Sequence, residues 1–160
     1  MTTRTRRTVE FKSLADVVAD AERLHRVGYD GAGNWDLAQV AGHLAAWLSY
    51  PMDGFPTPPM IPRLVLAVMR KTVGRRILRK VLATGQMPAG NPTAKESVMP
   101  PGGDEAAAVA NLRDTAARLE AFTGETKPSP LFGRLSREDG RRLTLIHCAH
   151  HLSFLTPKSS

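Results

Sequence analysis

Apolar residues recur along this chain at spacings of three and four, the mark of helices that bury one stripe, with no convincing alternation of the kind half-buried strands show. This pattern predicts five helical stretches. The first covers residues 13–26, with Ser13 and Asp16 as a cap pair and Leu14, Val17, Val18, Ala21 and Leu24 as its stripe. Gly28, Gly31 and Gly33 then break the chain. The second, over residues 36–50, has the clearest start. Asp36 fits the N-cap, Gln39 is its capping-box partner, and Trp35 and Val40 fit a hydrophobic staple. Leu37, Val40, Ala41, Leu44 and Leu48 make its core face.

Pro51, Pro56, Pro58, Pro59 and Pro62 predict irregular chain until a third stretch, Arg63 to Leu82. A loop over residues 84–103 holds Pro88, Pro92, Pro100 and Pro101. The fourth stretch covers residues 104–122, with Val109, Leu112, Ala116, Leu119 and Phe122 inward. Ser136 caps the fifth, residues 136–155, with Asp139 three residues on and Pro157 just past its end. Short loops join the first stretch to the second and the fourth to the fifth, which makes those pairs antiparallel neighbours. The expected fold is therefore all-α. It is one domain over residues 1–160: a four-helix bundle of helices 13–26, 36–50, 104–122 and 136–155, whose crossover, residues 51–103, carries an extra basic helix.

Composition changes this picture little. Apolar residues are 42% and charged residues 23%, ordinary for a globular domain. The single Cys148 excludes an intrachain disulfide and fits a reducing compartment. There is no secretory-signal pattern and no run of 18 apolar residues, so the cytoplasm is the expected location.

Charge changes it more. The net charge of +7 suggests nucleic acid until it is mapped. Residues 54–95 carry 8 basic side chains and no acidic one, whereas the two flanks are close to neutral. In Val73 to Leu82, Val73, Ile77, Leu78 and Val81 share one face while Arg75, Arg76, Arg79 and Lys80 share the other. Such a face is either simply solvated or an electrostatic lure for an anionic substrate. No aromatic residues interleave with the cations, so nucleic acid and membrane rank lowest as partners.

The candidate chemistry lies in the histidines. His147 and His151 are four apart on the fifth helix, one turn above each other on the same face, within a mostly apolar sector. His43 lies at the edge of the second helix's core face, with Val40, Trp47 and Tyr50 beside it. Three imidazoles from facing helices can hold one divalent ion and leave a coordination position open, which is catalytic rather than structural geometry. The other reading of the same spacing is a non-catalytic binding or dimerising bundle with core histidines satisfied by carbonyls. His25 belongs to the surface at a helix C-terminus, His150 points away from the pair, and Cys148 reads as buried packing. Asp53, Glu138 and Asp139 are the acids nearest the candidate ligands in sequence, and none can be placed as a general base.

The stretch Gly33-Asn-Trp-Asp-Leu-Ala-Gln-Val-Ala-Gly-His43-Leu resembles the second-helix motif of the DinB/YfiT-like superfamily of metal-binding four-helix bundles. His147-Cys-Ala-His-His151-Leu resembles its last-helix motif. Leu131-Phe-Gly-Arg-Leu-Ser-Arg-Glu and Met99-Pro-Pro-Gly resemble a branch of unknown function within it. The chain departs from that branch at Gly140, where a Trp is usual, and at Ser153-Phe154, where a Gln is usual. The resemblance implies an up-down-down-up bundle, often a homodimer, in which His43, His147 and His151 bind a divalent metal such as Zn, Ni or Mn. It implies a transferase or isomerase that works on a small molecule with a low-molecular-weight thiol.

Overall fold

The computed structural model describes residues 5–57, 60–88 and 95–159. Pro58, Pro59, Pro92 and the first four residues of the basic N-terminus lie outside them. The described residues are mostly helical. Helix α1 spans Leu14–Val27, strand β1 Tyr29–Gly31, α2 Leu37–Asp53, α3 Met60–Met69, α4 Arg75–Thr84, α5 Glu105–Glu120, α6 Arg137–Leu152 and strand β2 Leu155–Pro157. A π-helical turn, Arg70–Gly74, joins α3 to α4, and a short 3₁₀ turn covers Lys95–Ser97.

The predicted caps are in place. Ser13 and Asp16 close a capping box on α1, and Asp36 and Gln39 close one on α2. The hydroxyl of Ser136 accepts from the Asp139 N–H at the start of α6. One apolar core unites α1, α2, α5 and α6. Leu14, Val17 and Leu24 meet Leu37, Leu44 and Leu48 from α2, Leu112 from α5, and Cys148 and Leu152 from α6. No helix among the described residues is long and apolar enough to cross a membrane.

Three expectations need correction. Pro51 does not end the second helix, which runs on to Asp53. It falls in the last turn, where the one bond lost for want of its N–H lies next to the helix end and only two residues follow. The fifth helix stops at Leu152, and Leu155–Pro157 pairs antiparallel with Tyr29–Gly31, so the fold is not purely helical. The glycine-marked break after α1 is therefore partly strand. Finally, the basic helix does not bury one clean face: Val81 is buried, but Val73 and Ile77 are exposed, as are Met60, Leu64, Val65 and Val68 along α3.

The small ladder joins distant parts of the chain. Together with the Ala32 N–H, which donates to the Phe154 carbonyl at 2.8 Å, it ties the loop before α2 to the chain leaving α6. A Cβ at Gly33 would come within 3.2 Å of Phe154 Cδ1, so the approach is close. Tyr29 adds a second anchor. Its hydroxyl donates to Glu105 at 2.6 Å and accepts from the Leu37 N–H at 2.9 Å, joining the starts of α2 and α5. Burial pushes that phenol up to about 12, so it stays a donor.

Candidate metal centre

His43, His147 and His151 come together as the spacing predicts, with one ring nitrogen from each within 4.8 Å of the others. His43 Nε2 lies 3.3 Å from His147 Nε2, which lies 3.1 Å from His151 Nε2. A tetrahedral ion with bonds of ~2.0–2.1 Å spaces its nitrogens by roughly 3.3–3.4 Å, so both contacts of His147 stand close to that spacing already. His43 is fully buried rather than at the rim of its helix face, whereas His147 and His151 keep some exposure. The part of the cluster left exposed therefore belongs to α6.

The protonation pattern fits a cation. The Ser97 carbonyl, 3.1 Å from His43 Nδ1, can only accept, so the ring's proton sits on Nδ1 and its Nε2 lone pair faces the other two histidines. One proton on His147 can be aimed along only one of its two N···N contacts. His147 Nε2 is either a donor or an acceptor, and His43 Nε2 can only accept, so the two contacts cannot both be good hydrogen bonds, and a bound cation would satisfy all three nitrogens at once.

Burial pushes His43 down to about 4 against the opposing pull of Ser97. Burial and the neighbouring rings push His147 down to about 3, and the same causes lower His151 further. Neutral imidazole is the ligand form, so protons compete weakly here.

These shifts have a consequence for the metal-free protein. Each folded-state pKa lies below the ordinary value of 6.5, so between those values the unfolded chain binds more protons. Stability is full above about pH 6.5 and falls as the pH drops towards about 3. Urea unfolding of chelator-treated protein should lose at least about 1 kcal/mol between about pH 7.5 and about pH 5. An unchanged midpoint would show that these rings titrate normally.

Two tryptophans enclose the cluster. Trp35 stacks on His151, with centroids 5.4 Å apart and planes 9° from parallel, and meets His43 edge-on at 5.1 Å. Trp47 lies 5.1 Å from His147 and 6.0 Å from His43. The ladder and the Ala32 bond put Trp35 there. Trp47 is held by its Nε1–H, which donates to the Ser97 hydroxyl at 3.2 Å. Ser97 thus fixes both His43 and Trp47. It reaches them because Gly42 has no side chain: a Cβ there would fall 2.7 Å from Met99 Cγ. Gln39 closes the same seam by donating to the Met99 carbonyl at 2.9 Å. In the sequence Trp35 and Gln39 read as helix-start residues, and Ser97 carries no signal, since the group it offers His43 is a backbone carbonyl that any residue type has.

The remaining candidates separate cleanly. His25 is exposed, 3.5 Å from Glu105. His150 is turned out of the cluster: its Nδ1 is 3.1 Å from the Met87 carbonyl and 3.2 Å from Arg6 Nη2. Cys148 is buried, and burial pushes its thiol up to about 12. Asp53 pairs with Arg118, whose guanidinium lowers its pKa. Among the described residues no Asp or Glu joins the three histidines.

The profile of the family described as "Protein of unknown function (DUF1569)" matches residues 3–158. No curated protein and no solved structure shows significant similarity to the chain.

Proposed function

The chain belongs to the DUF1569 family, and from that premise we propose that it is a divalent-metal-dependent enzyme of the DinB-like type, built on a four-helix bundle. His43, His147 and His151 are the proposed ligands. The observation that carries this reading is the convergence of three imidazole nitrogens within 4.8 Å, with His147 at metal-like spacing from both others and His43 locked in the ligating tautomer by Ser97. An all-nitrogen donor set favours Zn or Ni over Mn. The shared core of α1, α2, α5 and α6, with a long crossover between α2 and α5, supports the bundle assignment.

A divalent ion in this position supplies Lewis acidity, which lets a thiol or water shed its proton near neutral pH. The chain's own residues set the conditions. Trp35, stacked on His151, and Trp47, packed against His147, hold the rings in place. His147 and His151 are part-exposed, unlike His43. Cys148 is sealed and fully protonated near neutral pH, so a thiol reaction here needs a low-molecular-weight thiol from outside. Transfer or isomerisation of a group on a small molecule with such a thiol is the activity this reading assigns.

Metal that binds only the native state raises the unfolding midpoint. With zinc or nickel at ~100 times its dissociation constant, the gain is about 2.7 kcal/mol, or roughly 5–10 °C for a chain of this size. The expected result is a fall of that order when chelator is added. Equal midpoints with and without chelator would favour a binding module with structural histidines.

A further inference from the structure

A second feature lies one tryptophan away from the histidines. A cavity of about 590 Å³ opens between the turn after α2, the inner face of α3 and the loop before α6. Phe55 and Leu66 line it with prolines from both loops, and Arg63, Arg70 and Lys127 line it with positive charge. Its volume lies within the range of small-molecule sites, ~300–1,000 Å³. Among the described residues no acidic one is on its wall.

The three cations come from different places: α3, the π-helical turn and the loop before α6. Arg63 and Arg70 are seven residues, two turns, apart and so share a face. Among the described residues none of the three makes an ion pair. Arg113, Arg118, Arg134 and Arg141, by contrast, all have carboxylate partners. Arg63, Arg70 and Lys127 are all exposed, so water solvates them in the free protein, and their convergence beside apolar walls gives an anion with an apolar body more to hold than scattered surface charge would.

The walls are fastened together rather than loosely apposed. The Lys127 N–H donates to the Pro51 carbonyl at 2.8 Å, and Ser129 and Gly133 exchange two backbone bonds of 2.8 Å. Gly74 lies so close to the loop that a Cβ would fall 2.5 Å from the Leu131 carbonyl oxygen. Gly133, at φ +75°, takes a backbone form that favours glycine, and the stem of Arg70 passes within 3.4 Å of where its Cβ would be. Phe55 on the wall meets Trp47 at 6.2 Å, and Trp47 meets His147 at 5.1 Å.

We propose that this cavity is the substrate pocket of the histidine centre and that it takes an organic anion. A carboxylate, phosphate or sulfonate sits on Arg63, Arg70 and Lys127, and an apolar body lies against Phe55 and Leu66. The role as substrate pocket rests on the metal-centre reading; the binding itself does not.

The probes are phenyl phosphate, benzoate and benzenesulfonate, titrated calorimetrically into metal-free protein, with inorganic phosphate and benzyl alcohol as half-ligands. At least one aromatic anion should bind saturably, one per chain, and roughly tenfold or more tighter than either half-ligand. The R70Q/K127Q double variant should weaken it by roughly tenfold or more, while R75Q/R76Q, on the exposed face of α4, should leave it unchanged. Circular dichroism and thermal unfolding check that both variants fold. Absence of saturable binding by all three anions overturns the pocket, as does binding equal to inorganic phosphate or insensitive to R70Q/K127Q. Metal loading of the same preparation is measured separately. A protein that loads metal but binds no anion loses the pocket alone, and one that binds anions but loads no metal loses the substrate role.

Discussion

His147→Ala should abolish stoichiometric metal binding. His147 is the middle of the cluster, with its Nε2 3.3 Å from that of His43 and 3.1 Å from that of His151. Removing it leaves two nitrogens and a gap where the third stood, too few for a three-nitrogen site. Loss of an outer partner of a ligand costs ~10–100-fold in metal affinity, so loss of a ligand should cost at least about a hundredfold. Because His147 keeps some exposure, the truncation should leave the helical core standing. His150→Ala is the matched control. It changes the same helix and the same residue type, yet its ring nitrogen is engaged by the Met87 carbonyl and Arg6. Equilibrium dialysis against zinc should show no bound metal for the first variant and full loading for the second. Equal loading of the two would remove His147 from the ligand set.

Most of the intrinsic tryptophan emission should respond to metal. The chain has two tryptophans, and both lie against the histidines. A paramagnetic or strongly absorbing ion such as Cu²⁺, Ni²⁺ or Co²⁺ held by those rings sits within a few ångströms of both indoles. Emission should fall by more than about half, with a sharp break at one equivalent per chain, since imidazole sites take these ions well. Zn²⁺ should compete the quenching away. Trp35→Phe should keep the break and lose its share of the signal, because Phe preserves the stack on His151. A gradual decline without a break, unaffected by Zn²⁺, would place the quenching ion elsewhere on the surface.

How much of the fold and the site was legible in the sequence depends on whether the cause was local. Asp36 and Gln39, three residues apart before an apolar run, make a capping box through contacts within one turn, so the start of α2 could be read directly. The i,i+4 spacing of His147 and His151 sets their shared face by helix geometry alone. His43 was placed at a rim because a helical wheel knows only its own helix. Its burial comes from the 95–99 segment docking on Gly42 and covering the ring. The β1–β2 pair has three residues on each side, too short for alternation to declare itself, and Pro157 reads as a stop as readily as a strand residue. Yet that pair is what brings Trp35 over His151. The cations of the cavity come from α3, a π-helical turn and a distant loop, so only the folded chain shows that Lys127 joins Arg63 and Arg70.

The central claim is that the three histidines form a metal centre. It is tested most directly by the metal content of untagged protein, loaded with zinc or nickel, dialysed to equilibrium and measured by elemental analysis. One ion per chain, absent from His147→Ala and present in His150→Ala, is the predicted result. A folded chain that retains no divalent ion at any loading would contradict it.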